Sequence, residues 1–134
     1  IGSMSSTHSA NPMVCAAGKA NLEALLEDEL IENSQVLGEL FHARLNAIKT
    51  CFSDYISHVL GKGLLAAMHF NTPEGQPLID LCNRICEMAM QRGLLLVHTG
   101  RESIKLAPPL SITKEALLEG LSVMEEAIAD CIGS

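Results

Sequence analysis

Ser5-Ser6-Thr7-His8-Ser9-Ala10-Asn11-Pro12 sets hydroxyl groups and bare backbone directly ahead of a helix start. Asn11 is a good N-cap, and Pro12 suits the first helical position, where a missing N–H costs nothing. Hydroxyl donors and free N–H groups at the positive end of a helix dipole make an anion site, phosphate above all. The small residues that follow, Ala16, Ala17, Gly18 and Ala20, let another group pack close to this helix. An ordinary capped helix with a solvated lead-in accounts for the same residues, and both readings stay open here. Cys82 and Cys86 lie four apart on one helical face. A metal there needs His98 or His69 recruited from elsewhere, so buried apolar thiols are the simpler reading. His8 lies in the loop, while His42 and His58 read as surface or boundary residues. No Ser/His/Asp or Cys/His nucleophile arrangement and no Gly-rich nucleotide motif occurs.

Three blocks carry a resemblance to a known family. Ser6-Thr7 through Asn11-Pro12 resembles the Ser/Gly-Thr-x-x-x-Asn-Pro segment of class III (omega-type) pyridoxal-phosphate (PLP) aminotransferases, with Ala10 where that family usually has glycine. Leu60-Gly61-Lys62-Gly63-Leu64-Leu65 resembles the family's Arg-Gly-x-Gly-Leu turn into a strand. Ser103-Ile104-Lys105-Leu106-Ala107-Pro108-Pro109-Leu110-Ser111-Ile112-Thr113 looks like its strand and Pro-Pro-Leu turn before the last helix. The blocks run in family order over roughly residues 5–128.

The resemblance implies roles for particular residues. Thr7 matches the threonine that reaches the cofactor phosphate across the dimer interface, with Ser6 beside it as a second donor. Hydroxyls can hold a phosphate dianion without burying further charge. Lys105 stands where the family usually has an arginine that clamps the carboxylate of glutamate or 2-oxoglutarate. Arginine grips a carboxylate bidentately, whereas lysine is a flexible point charge. A parent enzyme with Lys105 is therefore expected to hold that carboxylate less rigidly, or to use another acceptor such as pyruvate. Arg101, in the preceding turn, is placed to share the clamp. A strand-edge lysine in solvent is the bland alternative.

At 134 residues the chain is one domain's worth, too short for a bilobed enzyme. Hydrophobic residues make up 48%, which excludes disorder, but aromatics are only 3%, so aliphatic side chains and Met must build the core. The formal net charge of −7 argues against nucleic acid or an anionic membrane as partner. No apolar run reaches the roughly 18 residues needed to span a bilayer, and no basic-then-apolar leader is present. Five scattered cysteines read as reduced thiols in a cytoplasmic protein. Ile1-Gly2-Ser3 has the look of a cloning remnant before Met4, so residues 1–4 are set apart and a fragment is expected.

Hydrophobic spacing predicts a first helix from Pro12 to Glu27 with Leu22, Leu25 and Leu26 on its apolar face. Acidic Glu27-Asp28-Glu29 marks a break. A second helix, from near Asn33 or Ser34 to Ile48, places Leu37, Leu40, Phe41, Leu45 and Ile48 toward a core. Strands are expected over residues 56–60 and 64–70, joined at Gly61-Lys62-Gly63. A helix opened by Pro77 and ending near Gly93 buries Leu78, Ile79, Cys82, Ile85, Cys86 and Ala89. Strands at 94–98 and 103–106 precede Pro108-Pro109, and Thr113 caps a last helix carrying Leu117, Leu121, Met124 and Ile128. This order makes an α+β fold, a small, mainly antiparallel sheet covered by helices on one face.

The resemblance makes that fold the C-terminal small domain of a fold-type-I PLP enzyme, with residues 5–32 as cofactor-site loop and linking helix and 33–134 as the domain. It implies a homodimeric parent that moves an amino group from an amine or amino acid to a keto acid. PLP chemistry needs a Schiff-base lysine and an acidic partner for the pyridinium nitrogen. In the family both lie upstream, and Lys19, Lys49, Lys62, Lys105 and Lys114 stand in other contexts, so this chain alone is expected to be inactive. The alternative is a free-standing α+β interaction or small-ligand module without catalysis.

Overall fold

The computed structural model describes residues 11–133. Its elements are α1 (Pro12–Glu27), α2 (Leu30–Cys51), β1 (Ile56–Lys62), β2 (Leu65–Phe70), α3 (Ile79–Gln91), β3 (Val97–His98), β4 (Ser103–Leu106) and α4 (Lys114–Gly133). The four strands form one sheet in the order β1-β2-β4-β3, and every neighbouring pair is antiparallel. This is the mixed helix-and-sheet arrangement expected from the element order.

Side chains alternate across the strands, so Ala66, Met68 and Phe70 of β2 and Ile104 and Leu106 of β4 point to one side and are buried. There they meet Phe41, Leu45 and Ile48 of α2, Cys82 and Ile85 of α3, and Leu117, Leu121, Met124 and Ile128 of α4 in one apolar cluster. Each such aliphatic or aromatic side chain taken fully out of water stabilises by about 1.5–3 kcal/mol before ordering costs. The other face carries Leu60, Leu65 and Val97, which are 56%, 51% and 54% exposed. Among the described residues, helices cover one side of this sheet only.

The β1–β2 hairpin turns at Gly63 and Leu64, with Gly63 at φ 57°, a left-handed conformation that suits glycine. The Leu64 N–H donates to Ser34 Oγ at 3.3 Å, tying the turn to α2. Gly38 of α2 is buried against the same turn, and a Cβ added there would lie 2.5 Å from Gly63 Cα. Two backbones meet where no side chain fits.

Several elements differ from their sequence-based expectation. α2 starts at Leu30 and ends at Cys51, because a single left-handed residue, Glu29 at φ 50°, separates it from α1. Residues 94–98 give only the two-residue β3. Leu94 and Leu96 pack on the core, while Leu95 is 81% exposed. The alternation of a strand is present there without a ladder. Ile79 is 40% exposed, not buried, because it sits at the first turn of α3. The largest correction concerns α1: none of its residues is buried, and Leu22 and Leu26 are 63% and 71% exposed. Its packing neighbour is α2, off to the side of the core, so its apolar stripe has no sheet to lie on.

Candidate functional site

Lys105 lies between the buried Ile104 and Leu106, so strand alternation sends its side chain to the uncovered face. Its cross-strand partners are Ala67 on β2 and Val97 on β3, and Leu60 of β1 stands opposite Ala67. The ammonium therefore belongs to a row of otherwise apolar residues. On the opposite, helix-covered side of β4 lies a cleft of about 380 Å³, walled by Phe41, Leu94, Leu96, Pro108, Pro109 and Met124 among others. Lys105 is the one charged residue among the described residues lining that cleft, and its side chain leaves on the other side of the strand. A cation among apolar neighbours attracts a carboxylate more strongly than one in open water.

The loops around Lys105 are pinned by hydrogen bonds. Thr99 Oγ1 donates to Ser103 O at 3.1 Å, and the Thr99 N–H donates to the same carbonyl at 3.2 Å, closing the β3–β4 turn. His98 Nε2 donates to Arg101 O at 2.9 Å. On the other side, Asn33 Nδ2 donates to Leu110 O at 2.6 Å and to Ile112 O at 3.3 Å, fastening the Pro108-Pro109 loop to α2. Arg101 sits at the turn, its side chain 80% exposed and its Nε 3.8 Å from Glu102 Oε2. The Arg101 side chain is thus unburied and loosely held.

Ser6 and Thr7, the residues singled out for phosphate, lie outside the described residues, as does His8. At the start of α1, Asn11 Oδ1 accepts from the Met13 N–H at 2.9 Å, and Asn11 O accepts from the Cys15 N–H at 2.9 Å. With Pro12 contributing no donor, the helix start is largely self-capped. PLP requires a shielded lysine and a carboxylate against its ring nitrogen. Among the described residues the buried polar or charged side chain is Ser103 alone. The described residues therefore do not make up a site for the whole cofactor.

Cys82 lies in the core and Cys86 packs against it, as their shared helical face suggests. Cys82 is fully buried, and burial, aided by the neighbouring Cys86 and by Glu102, pushes its pKa up to about 12. Burial likewise pushes up Cys86 and Cys131. A thiol held protonated is a poor nucleophile and a poor metal ligand. Sequence reasoning missed one polar atom: His42 Nε2 is buried without a hydrogen-bond partner, beside an open groove lined by Ser34, Gly38, Lys62 and Gly63. Nothing in the sequence around His42 signals it.

Comparison with known proteins gives the frame for these residues. The family model described as aminotransferase class-III matches residues 1–128. The chain is 36% identical to the alanine/serine racemase of Pyrococcus horikoshii, over 98% of this chain and 28% of that protein. It is 35% identical to the mitochondrial ornithine aminotransferase of Arabidopsis thaliana, over 95% of this chain and 26% of that protein. Among solved structures, the acetylornithine aminotransferase of Elizabethkingia anophelis superposes with a TM-score of 0.82 at 33% identity, covering 97% of this chain and 33% of that one. The chain thus spans between a quarter and a third of the length of these relatives, 26% to 33%. On the match over residues 1–128, the chain belongs to the class-III aminotransferase family.

Proposed function

We propose that this chain is the C-terminal portion of a PLP-dependent class III aminotransferase, working as a homodimer in the cytoplasm. Residues 33–134 form its small domain, and residues 5–32 its cofactor-site loop and linking helix. The parent moves an amino group from an amine or amino acid to a keto acid. PLP, when bound, takes up the amino group from the donor and returns it to the acceptor. The Schiff-base lysine and the acid for its ring nitrogen come from polypeptide outside these residues, so the chain alone is inactive. The exposed apolar stripe of α1 agrees with a larger body lying against it in the parent. Ser6 and Thr7 donate to the cofactor phosphate.

The observation that carries the substrate side is Lys105, a charge in a row of apolar residues, Leu60, Ala67 and Val97, on the uncovered sheet face. Its ammonium holds a substrate carboxylate, and Arg101, unburied at the turn, swings in as auxiliary. The test is steady-state kinetics of the long protein with Lys105→Ala and Lys105→Arg. A hydrogen bond to a charged group is worth about 1.5–3 kcal/mol, so Lys105→Ala raises KM for the keto acid roughly 10- to 100-fold. Lys105→Arg shifts preference toward 2-oxoglutarate. Tight, strict use of 2-oxoglutarate that Lys105→Ala leaves untouched removes Lys105 from the site. The 36% identity to an alanine/serine racemase supports a second reading, in which one amino acid is inverted and no keto acid is consumed. Turnover without any added keto acid separates the two.

A further inference from the structure

We propose that His58 and His69, paired across β1 and β2 on the uncovered sheet face, bind a late first-row divalent ion such as Ni2+ or Cu2+. The two residues are direct cross-strand partners. The two-residue turn at Gly63 and Leu64 fixes that register, since each ladder step from Lys62 and Leu65 leads back to this pair. Both side chains point away from the core, because their neighbours Val59 and Met68 pack into it.

The ring centroids lie 6.4 Å apart with the planes at 87°. An ion about 2.1 Å from each coordinating nitrogen sits roughly 3.2 Å from each centroid, so two ligands at a tetrahedral or cis-octahedral angle hold their centroids about 4.5–5.2 Å apart. The observed rings must close by about 1–2 Å and turn edges together, which the broad χ2 torsion of histidine permits at little cost. No hydrogen bond or ion pair engages either ring among the described residues. By contrast, His98 Nε2 is spent on Arg101 O, and His42 Nε2 is shut away from solvent. His58 is exposed and His69 half-buried, so an ion reaches the pair directly. Among the described residues no third His, Cys, Asp or Glu joins them. Water completes the coordination, which suits ions that favour imidazole and accept an open site. The net charge of −7 attracts a cation. The cation nearest by register is Lys105, two residues along β4 from Ser103, the partner of His69.

The experiment titrates the full 134-residue chain with NiCl2 in a non-chelating buffer, by calorimetry and by broadening of the histidine ring resonances. Loss of a group that only orients a metal ligand already costs about 10- to 100-fold in affinity, so loss of a ligand itself costs at least about tenfold. One Ni2+ binds, His58→Ala and His69→Ala each weaken it at least about tenfold, His98→Ala leaves it unchanged, and the His58 and His69 signals broaden first. His58→Ala removes an exposed side chain and decides the matter even if His69→Ala does not fold. Binding indifferent to His58→Ala, first broadening at another histidine, or no binding at all overturns the proposal and leaves the pair a packing contact.

Discussion

Gly38→Ala separates two opposite expectations for a helical glycine. In a helix with open space around it, alanine replaces glycine with a gain of about 1 kcal/mol. At position 38 the new Cβ would stand 2.5 Å from Gly63 Cα, 2.8 Å from its carbonyl carbon and 3.0 Å from its oxygen. All three are backbone atoms, so no rotamer change relieves the contact. Gly63 cannot retreat through its own turn without leaving φ 57° and the hydrogen bond from Leu64 N–H to Ser34 Oγ. Forced overpacking costs about 1–3 kcal/mol. Contact with rigid backbone belongs at the upper end, so after the propensity gain the net loss is about 2 kcal/mol. For a chain of this size that lowers the urea midpoint by about 1 M, or Tm by roughly 8 °C. Gly18→Ala is the comparison, because nothing lies within 4 Å of its added Cβ. It leaves the global midpoint unchanged or slightly raised. A Gly38→Ala protein as stable as its parent, or more so, refutes the close approach of α2 and the hairpin. The placement of β2, which flanks Lys105 through Ala67, would then need a different support.

Among the five cysteines, Cys15 and Cys51 are exposed and should react quickly with a disulfide reagent at mildly alkaline pH, while Cys82 reacts only on unfolding. Stability should also fall in alkali: the Cys82 thiol ionises near its ordinary 9.0 in the unfolded chain but only near about 12 when folded. Its contribution is complete below about 9 and drains away as pH rises toward 12, with Cys86 and Cys131 acting in the same direction. Urea midpoints across that range should converge for Cys82→Ala and the unaltered chain; parallel curves contradict the assignment. Asn33→Ala frees the carbonyls of Leu110 and Ile112 and should cost about 1–3 kcal/mol. Faster amide exchange over residues 107–113 is the accompanying sign, and unchanged exchange there counts against the tie.

Where the sequence carried a local chemical signal, its elements proved readable. Asn11-Pro12 announces α1 because cap and first-turn residues act within one turn, and Asn11 Oδ1 indeed accepts from the Met13 N–H. Thr113 does the same for α4, where its Oγ1 accepts from the Ala116 N–H at 3.2 Å. The outward aim of Lys105 follows from strand alternation alone. What covers an apolar stripe is not a local property, so the periodicity of Leu22, Leu25 and Leu26 names a face without naming its neighbour. Leu94-Leu95-Leu96 has strand chemistry, but a ladder needs a partner in register and β4 supplies one only for Val97 and His98. The cleft behind β4 joins Phe41, Leu96 and Met124, residues dozens of positions apart, and only packing brings them together. The pairing of His58 with His69 depends on a two-residue loop, since a slip by one residue sends one imidazole inward.

The proposal that these residues serve a catalyst completed by polypeptide outside them rests on the family match over residues 1–128. Its most direct test assays amino transfer between amines or amino acids and keto acids by two proteins: the long polypeptide encoded around this chain, and the 134-residue chain alone, both supplied with PLP. Turnover is expected from the first and none from the second. Turnover by the 134-residue chain alone, or a native coding region that begins at Met4, would contradict it.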